Sequence, residues 1–174
     1  QGSRFDWPLH TIRQGNAIDP AAWPREKIDF IYSEDVFEHI PTKALPELCT
    51  QIAARLSESG IALVRPMVYT GIQGGHNVEY YSLRPSKKRR CRPWDHFRVN
   101  RYPANTYLNR LTRGDYRSLF GNYFEILDET ERDPEKGRAF MTEELREELS
   151  EWPDEELFSN HVRFILRPKG QTHN

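Results

Sequence analysis

Apolar and polar positions along this chain alternate between strand-like runs and helix-like stripes. Residues Ile28 to Ser33, "IDFIYS", form an apolar run bounded by polar residues, the pattern of a strand buried on both faces of a parallel sheet. Pro41 then opens a stretch in which Leu45, Leu48, Ile52 and Leu56 recur at helical spacing, with Gly60 as the expected C-terminal cap. Ile61 to Val64 follows at once as a second buried strand. Strand, helix and strand make a βαβ unit, whose crossover is right-handed in nearly all proteins. The pattern breaks after Pro66 for roughly forty residues, far beyond an ordinary connection. Thr112 with Asp115 reads as a capped helix start, and Tyr116, Leu119 and Phe120 form a stripe ending at Gly121. Tyr123 to Leu127 reads as a strand, and Thr142 caps a helix with Leu145, Leu149 and Trp152 on one face. Val162 to Leu166 is the last strand, and the chain from Gln171 is expected to fray. Near the start, Leu9 to Ile12 reads as a short strand before a turn at Gln14 to Ala17.

Composition adds limits. A chain of 174 residues with 37% hydrophobic content makes one domain with one principal core. The formal charge of -1 conceals an uneven layout: Arg84 to Arg113 carries ten Lys/Arg against Asp95 alone, whereas Glu125 to Glu156 is acidic. Cys49 and Cys91 lack the spacing of a metal clip, which points to free thiols and a cytoplasmic protein. No apolar run reaches membrane-spanning length. The opening Gln1-Gly2-Ser3 has the look of a cloning or cleavage remnant.

"IDFIYSEDVFEHIP" resembles the strand-to-helix junction "FDxIxSxxVxEHI" of class I S-adenosylmethionine-dependent methyltransferases (the type 11-like group) through Asp29, Ser33, Val36, Glu38, His39 and Ile40. Gly15-Asn16-Ala17 is similar to the family's "GDA" turn beside the cofactor's adenine, with asparagine replacing aspartate and Asp19 two positions on. "SGIALVRP" looks like the family's fifth strand, "TRGDYRSLFGNYFEIL" like its late helix and sixth strand, and "HVRFILRP" like its antiparallel seventh strand. The resemblance implies an α/β fold: a partial Rossmann-like sheet, a parallel βαβ plus an antiparallel C-terminal strand, with helices on both faces and an insertion over residues 67–111. It implies S-adenosylmethionine as cofactor, with Asn16, Ala17, Asp19, Asp35 and Glu38 on the cofactor side.

The family's glycine-rich loop and the acid ending its second strand belong before Leu9, where this chain has no counterpart. Gly71, Gly74 and Gly75 follow a late strand and lead into no helix, so they read as a decoy or a hinge. The expectation is a carboxyl half of a methyltransferase, or a domain completed by another chain, with an incomplete cofactor site in this chain alone. A missing neighbour leaves Ile28 to Ser33 an unpaired edge, which predicts self-association as a homodimer unless Leu9 to Ile12 covers it.

His39 and His76 are the candidate proton acceptors for a hydroxyl, and a helix-start histidine bonded to backbone is the plainer reading of His39. The acids of Asp35 and Glu38 would attract a sulfonium cation, or simply complement a helix dipole. In the insertion, Tyr69, Tyr81, Trp94, His96 and Arg98 are candidate substrate contacts, since aromatic faces with arginine forks recognise sugars and anions; packing onto the sheet is the alternative. "PWDHFR" weakly resembles a Trp-x-His pattern in methyltransferase-like proteins of glycan loci, which points to a small polar or glycan-like acceptor. His76, His96 and Asp95 lack ligand spacing, so no metal is expected. "KKRRCR", Lys87 to Arg92, leaves a second class open: a non-catalytic module that binds an anionic partner such as nucleic acid. Pairing of that run with the acidic helix at Thr142 to Glu156 is its plainer explanation.

Overall fold

The computed structural model describes residues 14–76, 93–98 and 106–170. Four strands, β1 (Ile28–Glu34), β2 (Leu56–Arg65), β3 (Phe124–Glu131) and β4 (Val162–Pro168), form one sheet in the order β1-β2-β4-β3. β1 and β2 are parallel, with Ile31 opposite Ala62 and Ser33 opposite Val64, while β4 runs antiparallel to both β2 and β3. The sheet is thus the expected parallel βαβ with a reversed C-terminal strand. Helix α1 (Leu45–Arg55) makes the crossover, and α3 (Arg113–Tyr123) lies beside it. Among the described residues, no helix is long and apolar enough to cross a membrane.

The helix-covered face of the sheet forms the main core. Ala62, Val64, Phe164 and Leu166 meet Leu48, Ile52, Tyr116 and Phe120 from the helices, and Ile31 packs at the margin. Phe37, just beyond β1, sets its ring edge-on to Phe120, with centroids 5.6 Å apart at 72°, a geometry worth about 0.5–1.5 kcal/mol beyond area burial. A second cluster gathers Trp94, Leu145, Leu149, Leu157 and Phe158 under the short helices α2 (Asp95–Arg98), α4 (Glu143–Glu148) and α5 (Asp154–Leu157). Arg113 joins the two parts, reaching Glu129, Glu131 and Ser159, while the Glu156 carboxylate accepts from the N–H groups of Arg113 and Gly114 at the start of α3.

Three sequence expectations change. β1 is not buried on both faces: Phe30 and Tyr32 are 54% and 53% exposed, because β1 is an edge strand and α1 and α3 lie together on the opposite face. Gly60 does not cap α1. The helix stops at Arg55, since Leu56 is worth more as the first strand residue, buried opposite Ile28, than as a last helical turn. Gly60 instead lies in β2 beside a register shift, where a Cβ would come within 2.8 Å of the Ile28 carbonyl oxygen. Gly71 and Gly74 are packing positions and not a hinge, with added Cβ atoms 2.5 Å from the Ser159 carbonyl oxygen and 2.1 Å from that of Tyr69. The expected strand at Leu9 to Ile12 and the tail from Gln171 lie outside the described residues.

Candidate functional site

The carboxyl end of β1 collects titratable groups from four parts of the chain. Asp35 continues the parallel ladder, its N–H donating to the Arg65 carbonyl at 3.0 Å, and then adopts φ +53°, in the left-handed region that costs a non-glycine residue energy. That turn releases the chain from the sheet and leads into the 3₁₀ turn Phe37–His39. Because Phe37 is drawn into the core, Glu38 is carried under the surface with it and is 3% exposed. Burial pushes the Glu38 carboxyl up to about 7. His39 stays half-exposed, its Nδ1 3.0 Å from the Tyr107 carbonyl oxygen. The imidazole therefore donates from Nδ1 and leaves Nε2 as an acceptor.

His76 arrives from the loop after β2, also at φ +53°, its N–H bonded to the Gln73 carbonyl. Its Nε2 lies 3.8 Å from Glu38 Oε1, and its ring stands edge-on to His39 with centroids 4.9 Å apart. Burial, then the neighbouring His39, lower its pKa, so it is neutral near pH 7. His161 completes the group. An antiparallel β4 begins where the parallel strands end, and His161, the residue before it, places Nε2 3.1 Å from Asp35 Oδ1. Burial lowers its pKa in spite of Asp35.

Asn109 holds this turn in place. Its Nδ2 donates to the carbonyls of Phe37 (2.8 Å) and Ile40 (3.2 Å), its backbone N–H donates to that of Glu38, and its Oδ1 accepts from Leu111 N–H and Tyr116 Oη. Sequence reading missed Asn109 and His161. His161 had a signal, since a reversed final strand must start at the active end of a parallel sheet; Asn109, inside an irregular stretch, had none.

The other candidates fall elsewhere. Asn16 and Asp19 form a turn of their own, Asn16 Oδ1 accepting from Ile18 N–H and Asp19 Oδ1 from Ala21 N–H, while the Ala17 carbonyl accepts from Trp23 Nε1. The following Pro20 carbonyl is bonded by Arg55 at the last residue of α1. Trp94 is fully buried, donating Nε1–H to the Thr70 carbonyl. Tyr69 and His96 clasp each other: Tyr69 Oη donates to the His96 carbonyl at 3.0 Å, and His96 Nε2 lies 2.7 Å from the Tyr69 carbonyl oxygen. Burial pulls the His96 imidazole down to about 4. Arg98 is committed to Glu148 and to Asp95, tying α2 to α4. Tyr81 and the basic run Lys87 to Arg92 lie outside the described residues. A cleft of about 170 Å³ lined by Pro93, Arg98, Thr142 and Glu148 is separate from the Glu38 cluster.

No protein-family model and no curated protein matches the chain. Among solved structures, it is similar to the PH0226 protein from Pyrococcus horikoshii OT3, with 13% identity and a TM-score of 0.46 over 89% of this chain and 57% of that one. It is also similar to TehB from Haemophilus influenzae, with 13% identity and a TM-score of 0.42 over 86% of this chain and 38% of that one. The chain thus spans less than two thirds of either protein's length.

Proposed function

We propose that this chain is the acceptor-side part of an S-adenosylmethionine-dependent methyltransferase-like domain acting on a small polar or glycan-like hydroxyl. The observation that carries this reading is the convergence of Asp35, Glu38, His39, His76 and His161 at the carboxyl end of β1, where open α/β sheets bind their ligands. S-adenosylmethionine, when bound, would supply a sulfonium methyl for in-line transfer to the acceptor oxygen, the O–CH₃ bond forming as the S–CH₃ bond breaks and the thioether leaving. The hydroxyl proton passes to an imidazole. His39 offers Nε2 because Nδ1 is held by the Tyr107 carbonyl, and His76 is neutral and therefore able to accept. The Asp35 carboxylate favours the cation's approach, and Glu38 adds to it in its ionised form. The domain's main contribution is alignment of two bound reactants.

Calorimetry with S-adenosylmethionine tests the reading. One-to-one binding that weakens on substitution of Asp35 by Asn supports it. Silence toward the cofactor, together with salt-sensitive binding of oligonucleotides, replaces it with the binding-module reading through Lys87 to Arg92.

A further inference from the structure

Glu38, His39 and His76 each bring one potential ligand atom within 4.8 Å of the others. Both Glu38 oxygens and His76 Nε2 are buried with no hydrogen-bond partner among the described residues. A carboxylate 3% exposed, with only the backbone N–H groups of Glu38 and Met67 beside it, is expensive, and polar atoms left short of partners in native interiors call for an explanation. A cation between these three side chains satisfies them together. The rest of the geometry is that of a prepared ligand set. His39 donates Nδ1–H to a backbone carbonyl, the contact that fixes tautomer and ring orientation in metal-bound imidazoles, and its Nε2 is left for the ion. His76 is held by its N–H bond to Gln73 in a turn that ordinary residues avoid.

We infer that Glu38, His39 and His76 form a binding site for a divalent first-row transition ion of the zinc class. Two imidazoles with one carboxylate suit such an ion, whereas Mg²⁺ and Ca²⁺ favour all-oxygen shells. Three protein ligands leave a coordination position open, as in catalytic zinc sites. The ion site stands on geometry alone; its use depends on the proposed methyl transfer, in which the open position takes the acceptor's oxygen. When the ion is bound the two imidazoles are ligands and no longer proton acceptors, and the acceptor's proton passes to solvent from a hydroxyl whose pKa the cation has lowered.

The test is calorimetric titration of chelator-treated protein with Zn²⁺, with Mg²⁺ as comparison, alongside the visible spectrum of the Co²⁺-loaded chain. One Zn²⁺ per chain, no comparable Mg²⁺ binding and Co²⁺ bands of a four- or five-coordinate site are expected. Glu38→Gln and His76→Gln each weaken Zn²⁺ binding by about 100-fold or more, beyond the loss expected for an outer-shell contact. Glu38→Gln leaves every histidine in place, so undiminished Zn²⁺ binding in that variant means adventitious histidine binding and overturns the site. An octahedral Co²⁺ spectrum in the wild-type chain overturns it too, independently of whether either variant folds. Zn²⁺ binding without any response to S-adenosylmethionine keeps the ion site and removes the methyl-transfer reading, so the two fail separately.

Discussion

At the scale of single residues, position relative to the sheet decided what could be foreseen. Glu38 and His39 were legible because the junction after an apolar strand is a fixed place in α/β folds, and His76 because it stood in the long connection. Their meeting was not legible: in the sequence His76 could be weighed as a ligand only beside His96 and Asp95, whose spacing argues against a metal, whereas the fold sets it against Glu38. Trp94 and His96, attractive as exposed recognition groups, are interior, because a connection of such length needs a small core of its own. Two outcomes belong here. Asn109→Ala removes the side-chain bonds to the Phe37 and Ile40 carbonyls, the Leu111 N–H and Tyr116 Oη, so urea unfolding should register a loss of about 1–3 kcal/mol. His96 is held neutral by burial, with its pKa near 4 in the fold against an ordinary 6.5, so the unfolded chain takes up that proton first. Its contribution is complete above pH 6.5 and is lost as the pH falls toward 4, at most about 3 kcal/mol. Unfolding curves across this window check it, and His96→Asn should flatten that slope.

Elements were read well where the signals were local. The Thr112 cap is a full capping box, with Asp115 N–H bonded to Thr112 Oγ1 at 3.0 Å and Thr112 N–H to Asp115 Oδ2 at 2.9 Å. Thr142 caps α4 as expected, its Oγ1 accepting from Leu145 N–H. Element ends were read less well, because they answer to tertiary partners. Leu56 fits the helical stripe of α1 and yet begins β2, and Tyr123 fits a strand and yet ends α3. Thr112→Ala should lower stability by about 1 kcal/mol in chemical denaturation, the usual value of a lost cap. Gly60→Val should cost more than that loss, since its Cβ meets backbone on β1 that cannot move without breaking the ladder.

At the scale of the whole molecule, α1 and α3 cover one face of the sheet, and the described residues leave the other open. Phe30 and Tyr32 project from the open face, and the outer edge of β1 has no partner strand among the described residues. Such an edge is a template for a second copy. Sedimentation is expected to give a dimer for the wild-type chain and a monomer for Tyr32→Lys, and a wild-type monomer would remove the idea. The reversal of β4 was implied by the family resemblance of "HVRFILRP", and the parallel pairing of β1 with β2 was readable from the strand, helix and strand pattern. What covers the open face was not, since exposed aromatics on β1 look in sequence like any buried strand.

The central claim is that ligands meet this chain at the carboxyl end of β1. Amide chemical-shift mapping of the isotopically labelled protein, titrated with S-adenosylhomocysteine, addresses it most directly. Changes centred on Asp35 to His39 and His161 are the predicted result; a response confined to other surfaces, or none at saturating ligand, contradicts the account.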